Sequence, residues 1–172
     1  PNIVYIIADD LGFGDVGFNG QEKFSTPNID LLAQEGLVFT QHYSGTTVCA
    51  PSRSSLISGM HTGHTPIRGN YEIQPEGQYP LPDSLNTLFK VLKKAGYVTG
   101  AFGKWGLGYP QSEGAPSIQD VDVFYGYNCQ RMGHNYFPYH LWSNGDSLVL
   151  EGNKGQGKEQ YGPDLIHEQT LK

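Results

Sequence analysis

Residues 2–8, NIVYIIA, form a nearly unbroken apolar run rich in Ile and Val, and two carboxylates, Asp9 and Asp10, follow it without a spacer. A run that short, with no polar alternation, predicts a strand covered on both faces, as in the middle of a parallel sheet. The segments that follow alternate in kind. In STPNIDLLAQEG, Thr26 is placed to cap a helix, Pro27 suits its first turn and Gly36 its stop. LVFTQHYS, residues 37–44, reads as a second strand. Ser52–Ser58 reads as a short helix closed by Gly59, and Asp83–Ala95 places Leu85, Leu88, Phe89 and Leu92 at helical spacing before Gly96. Tyr97–Phe102 is a third strand, Asn144-Gly145 a hairpin turn, and Pro163 the start of a last helix. The pattern predicts an α/β fold, a largely parallel sheet flanked by helices, occupying residues 1–172 as one domain.

Charge and hydropathy narrow the function. The formal net charge is -6 at pH 7 and no Lys/Arg run exists that could neutralise several phosphates, which argues against nucleic acid as a partner. No apolar stretch approaches the roughly 20 residues that span a bilayer, so membrane insertion is not expected. The chain opens at Pro1 with a strand-like segment, which is read as a trimmed start. Two cysteines, Cys49 and Cys129, could pair but cannot build a disulfide scaffold.

In parallel sheets, ligands gather at the carboxyl ends of strands. Chemically active residues fall at three such ends: Asp9 and Asp10 after the first strand, Cys49 after the second, Lys104 after the third. Adjacent carboxylates repel unless a cation sits between them, and hard oxygen ligands of this kind suit Ca²⁺ or Mg²⁺. The competing reading of DDLG is a solvated turn. In CAPSR, Cys49 stands at a helix start, with Pro51 in the first turn and Arg53 one turn on. That setting favours an anion and a reactive thiolate, or it simply packs a small buried side chain. The aromatic residues of NYFPYHLW could stack on a sugar or an aryl ring, or serve the core.

CAPSRSSLISG resembles the CxPSR signature of the type I sulfatases, PNIVYIIADDLGFGDVG resembles their opening strand with its metal-binding acid pair, and GKWGLG is similar to their lysine-bearing third segment. TPNIDLLAQEG is also sulfatase-like, and NCQRMGHNYFPYHLWSNG is similar to bacterial arylsulfatase-type members. The resemblance implies an alkaline-phosphatase-like core. It implies that Cys49 is converted by dedicated formylglycine-generating machinery into formylglycine, whose hydrate attacks sulfur and later expels sulfate as the aldehyde re-forms. By match, Asp9, Asp10 and Cys49 would ligate Ca²⁺, with Mg²⁺ second; Arg53 would hold the diol; Lys104 would contact a sulfate oxygen.

Many relatives read GKWHLG, and here that histidine is Gly106. The proton-transfer role then falls to another residue, with His134 in MGHNYFP the first candidate and His61, His64 and His140 behind it. Family members run to several hundred residues and draw further metal ligands from their second half, so the expectation is the N-terminal portion of a sulfatase catalytic domain. The implied substrate is a sulfated carbohydrate or small aryl sulfate, and the implied location periplasmic or secreted. Three other functions stay open: a phosphonate or phosphate ester hydrolase, a non-catalytic module for sulfated ligands, and a thiol hydrolase using Cys49 with a histidine.

Overall fold

The computed structural model describes all 172 residues, which divide into two compact units, residues 1–43 and 44–172. In the first unit, helix α1 (Pro27–Glu35) lies between Thr26 and Gly36, as the sequence predicts. The Thr26 hydroxyl does not cap it. It accepts the Gly17 N–H at 2.8 Å and donates to Asp30 Oδ1 at 3.0 Å, while Asp30 Oδ1 also accepts the Phe18 N–H at 2.9 Å. The glycine-rich loop, as two 3₁₀ turns over Phe13–Asp15 and Gly17–Asn19, is thereby folded onto the first turn of α1, with Val16 buried between the turns.

The two strands expected here do not form. Residues 2–8 are irregular and residues 37–43 contain no strand. Val4 and Ile6 are 82% and 80% exposed. Strand propensity describes how well a side chain fits a pleated, half-buried surface, and a strand exists only where its N–H and C=O groups meet a neighbour's. No neighbouring strand stands within this unit to meet them.

The second unit carries the sheet, in spatial order β1 (Gly100–Lys104), β2 (Val123–Tyr127), β3 (His140–Ser143), β4 (Asp146–Val149). β1 pairs in parallel with β2, from Gly100 opposite Val123 to Lys104 opposite Tyr127. β2 with β3 and β3 with β4 are antiparallel, so the sheet is mixed and its parallel character is confined to one pair. The third strand starts three residues later than its apolar pattern suggested and ends two later. The Asn144-Gly145 hairpin is present, with Asn144 at φ 52° as a tight two-residue turn requires.

Side-chain alternation along β2 sorts the core into two sets. Phe124 joins Ala50, Ile67, Leu81, Trp105 and Leu107, backed by Phe89 of helix α3 (Leu88–Lys94). Tyr127 joins Cys129, Met132, Leu141 and Leu150, backed by Leu165 and Ile166 of a C-terminal helix (Gly162–Thr170). Burial, with smaller effects from Tyr161 and Tyr136, pushes the Tyr127 phenol up to about 12. α3 is shorter than its apolar spacing implied, because Thr87 caps it by accepting the Lys90 N–H. The link from β1 to β2 contains no helix. It is held by Trp105 Nε1 donating to the Gly114 carbonyl at 2.8 Å and by Gln119 Nε2 donating to the Glu113 carbonyl at 2.8 Å.

Candidate active site

Helix α2 runs from Cys49 to Ser58 and ends at Gly59 in the left-handed conformation. Cys49 is therefore its first residue, three positions earlier than the predicted start. Val48 enters in extended conformation (φ -111°, ψ 137°), and its carbonyl accepts the Ser52 N–H at 3.0 Å to begin the helical ladder. The N–H groups of a first turn have no partner inside the helix. One of these is settled locally, the Ala50 N–H donating to Asn70 Oδ1 at 2.8 Å, and Pro51 has none to place. Asn70 is a site-building residue that no motif marks in the sequence.

Ala50, Pro51 and Ser54 face the interior, where the Ser54 hydroxyl pairs with that of Thr65. Cys49 is half-buried, and Arg53, four residues on, shares its helix face. Lys104 closes the group from the sheet. It is the last residue of β1, and its Nζ lies 3.6 Å from Cys49 Sγ. Arg53 Nη1 donates to the Lys104 carbonyl at 2.7 Å. Cys49, Arg53 and Lys104 thus form a ring of contacts: α2 fixes the spacing of the first and second, Arg53 holds the backbone of the third, and the lysine side chain returns to the first. Trp105, only 3% exposed, sits between Phe89 and Phe124 with ring centroids 5.9 and 6.1 Å away and pins the end of β1 in the core.

Helix α4 (Gln130–Gly133) flanks this strand end, with the Cys129 sulfur as its cap, accepting the Met132 N–H. A Cβ added at Gly133 would press on Cδ of Lys104, so the lysine stem lies directly along α4. Cys49 and Cys129 are both free, and burial pushes the Cys129 thiol up. Cys129 therefore serves packing and capping rather than chemistry.

The histidines separate. His134 is exposed at the C-terminal end of α4, adjoining the turn that carries Gly133. His61 and His64 stand edge to face with ring centroids 6.2 Å apart, and His61 Nδ1 accepts the Gly63 N–H at 3.0 Å. His140 is buried in β3 with its Nε2 2.7 Å from Glu76 Oε2, while Trp142 Nε1 donates to Glu76 Oε1 at 2.8 Å. Burial alone would raise the Glu76 carboxyl, but hydrogen bonds from His140 and Trp142, with the charges of His140 and Arg131, outweigh it and hold the group below its ordinary value.

Asp9 and Asp10 belong to the first unit and are exposed, with Asp10 in the left-handed region at φ 58°. Their hard carboxylates suit Ca²⁺, yet no three His, Cys, Asp or Glu side chains gather as a metal-binding group. Two carboxylates supply only part of a six- to eight-oxygen shell. No helix is long and apolar enough to cross a membrane.

The chain matches the family model Sulfatase over residues 1–161. It is 39% identical over 145 residues to arylsulfatase G of Rattus norvegicus, covering 80% of this chain and 27% of that protein. It is 43% identical over 130 residues to arylsulfatase A of Homo sapiens, covering 73% and 25%. The crystal structure of Ps i-CgsB superposes with a TM-score of 0.79 at 31% identity, covering 96% of this chain and 39% of that one. Its complex with k-i-k-neocarrahexaose gives the same TM-score at 30% identity. The chain thus spans about a quarter of the length of the curated relatives it matches.

Proposed function

The chain belongs to the sulfatase family, and from that premise we propose that it carries the nucleophile and anion-binding part of a sulfuric ester hydrolase, within the N-terminal portion of the catalytic domain. The observation that carries this reading is the Cys49–Arg53–Lys104 ring at the end of a parallel strand pair. Cys49 Sγ marks the place that the formylglycine oxygen atoms take once the residue is converted by its generating machinery. One hydroxyl of the hydrated aldehyde attacks sulfur, forming a new S–O bond as the S–O bond to the substrate alcohol breaks and that alcohol departs with a proton. The second hydroxyl then gives up its proton, the carbonyl re-forms, and the bond from its carbon to the sulfate oxygen breaks.

Lys104 donates to a sulfate oxygen and offsets charge that accumulates there, and Arg53 holds the diol and the end of β1. His134, beside α4, takes the proton-transfer role. Asp9 and Asp10 are the carboxylates this chain contributes to Ca²⁺, or less favourably Mg²⁺; the bound cation would supply Lewis-acid charge. The substrate class is a sulfated carbohydrate, a reading supported by the structural likeness to the protein crystallised with k-i-k-neocarrahexaose. Export, to the periplasm or outside the cell, accompanies it.

Two measurements on the full-length protein, made in a host able to convert the cysteine, test the proposal. Intact mass should be about 18 Da lower than the sequence mass, and an aryl sulfate should be hydrolysed in preference to an aryl phosphate. An unmodified thiol with undiminished turnover, abolished by alkylation, would point to thiol chemistry instead. Preference for the phosphate would assign the phosphorus branch of the same chemistry.

A further inference from the structure

Gly106 is the position at which GKWGLG departs from GKWHLG, and the structure has filled the place its side chain would take. Its backbone is left-handed at φ +71°, and a Cβ built there would overlap the carboxamide nitrogen of Gln130 outright and crowd its carbonyl carbon. Gln130 is 3% exposed, and both polar atoms of its carboxamide are buried without a hydrogen-bond partner. A buried amide normally finds partners for its polar atoms; Gln119, with its oxygen unpaired, still places its nitrogen on two carbonyls, whereas neither atom of Gln130 is paired. The Gln130 backbone is anchored, its N–H donating to Gln78 Oε1 at 2.8 Å. Three residues on, Gly133 lies along the Lys104 side chain whose Nζ reaches Cys49. An unpaired carboxamide therefore occupies the volume that a side chain at 106, two residues along the chain from Lys104, would take.

We propose that Gln130 is a further ligand-contacting residue of the Cys49 site, its amide N–H donating to an oxygen of the anion held beside Lys104. This rests on the sulfatase reading for the identity of the anion, but not for the existence of the contact. Position 106 and position 130 are reciprocal in this scheme: a glycine at one makes room for the polar group supplied by the other. His is among the residues that most readily adopt a left-handed backbone, so the same backbone at 106 can carry an imidazole when 130 is small.

The discriminating variant is Q130M in the full-length protein, because methionine keeps the volume and removes the hydrogen-bonding atoms. If the carboxamide contacts the anion, kcat/KM for an aryl sulfate falls at least tenfold while the melting temperature stays level or rises. In addition, inorganic sulfate raises the melting temperature of the wild type and not of Q130M. If Gln130 only fills space, Q130M keeps wild-type turnover and the wild-type response to sulfate, which overturns the proposal. A wild type that turns over no sulfate ester but shows a Gln130-dependent response to inorganic sulfate refutes the sulfatase reading and leaves this contact standing; loss of both refutes both. The shared volume has its own test. G106A should lower the melting temperature more in the wild-type background than in Q130A, and equal losses would overturn the reciprocity.

Discussion

Replacing Lys104 with methionine separates the charge at the strand end from the packing of its stem. Lys104 Nζ lies 3.6 Å from Cys49 Sγ, so a sulfate ester joined at that position carries its terminal oxygens two bonds further out, within reach of the ammonium. At an effective dielectric near 20 and a separation of ~4 Å, one unit charge pair is worth about 4 kcal/mol. The difference between transition state and ground state is smaller than the whole interaction, and loss of one such donor typically costs ~10²–10³ in kcat. Lys104 is half-buried rather than enclosed, which places the expectation at the lower end, about 10²-fold. Methionine matches the lysine stem through four side-chain heavy atoms, so the contact along Gly133 survives and the melting temperature should move by no more than about 2 °C. The assay is steady-state hydrolysis of an aryl sulfate by the full-length protein, with melting measured on the same preparation. A K104M enzyme within threefold of wild-type kcat, with an unchanged melt, would refute the claim that Lys104 offsets charge on the transferring sulfate.

Two further outcomes bear on what holds the site. W105F removes the Nε1 bond to the Gly114 carbonyl while keeping an aromatic ring between Phe89 and Phe124; it should cost about 1–3 kcal/mol in denaturant unfolding, and a loss under about 0.5 would show that the bond contributes little. Glu76 has a folded-state carboxyl held below its ordinary value, so its contribution is fully present above the unfolded-state value near 4.5 and is lost as pH falls through the folded one. The stability advantage of wild type over E76Q should therefore shrink on acidification below about pH 4.5, and an advantage that grew there would reverse the assignment.

The sequence announces local structure well where the signal is covalent or confined to one turn. Pro27 and Gly36 bracket α1, Gly59 stops α2, and Asn144-Gly145 makes the hairpin, because each depends on the backbone freedom of one or two residues. Strands are another matter. NIVYIIA carries every residue preference of a buried strand and is not one, since a ladder depends on a partner segment and nothing within seven residues encodes where that partner is. The same argument explains the mixed sheet: parallel and antiparallel neighbours of β2 are chosen by connections far from β2 itself.

At the site, the motif residues Cys49, Arg53 and Lys104 come together because a helix face and a strand end each fix their side chains by short-range geometry, and motif spacing carries that geometry. Gln130 and Asn70 escape such reading because their places are set by what is missing elsewhere. A glycine at 106 leaves a volume, and an amide at 50 leaves an unpaired donor; the residues that answer them arrive from 24 and 20 positions away. A gap has no sequence signature of its own. It acquires one only when the backbone that surrounds it is known, which is why the departure from GKWHLG looks like a lost side chain in the sequence and like an exchange of side chains in the fold.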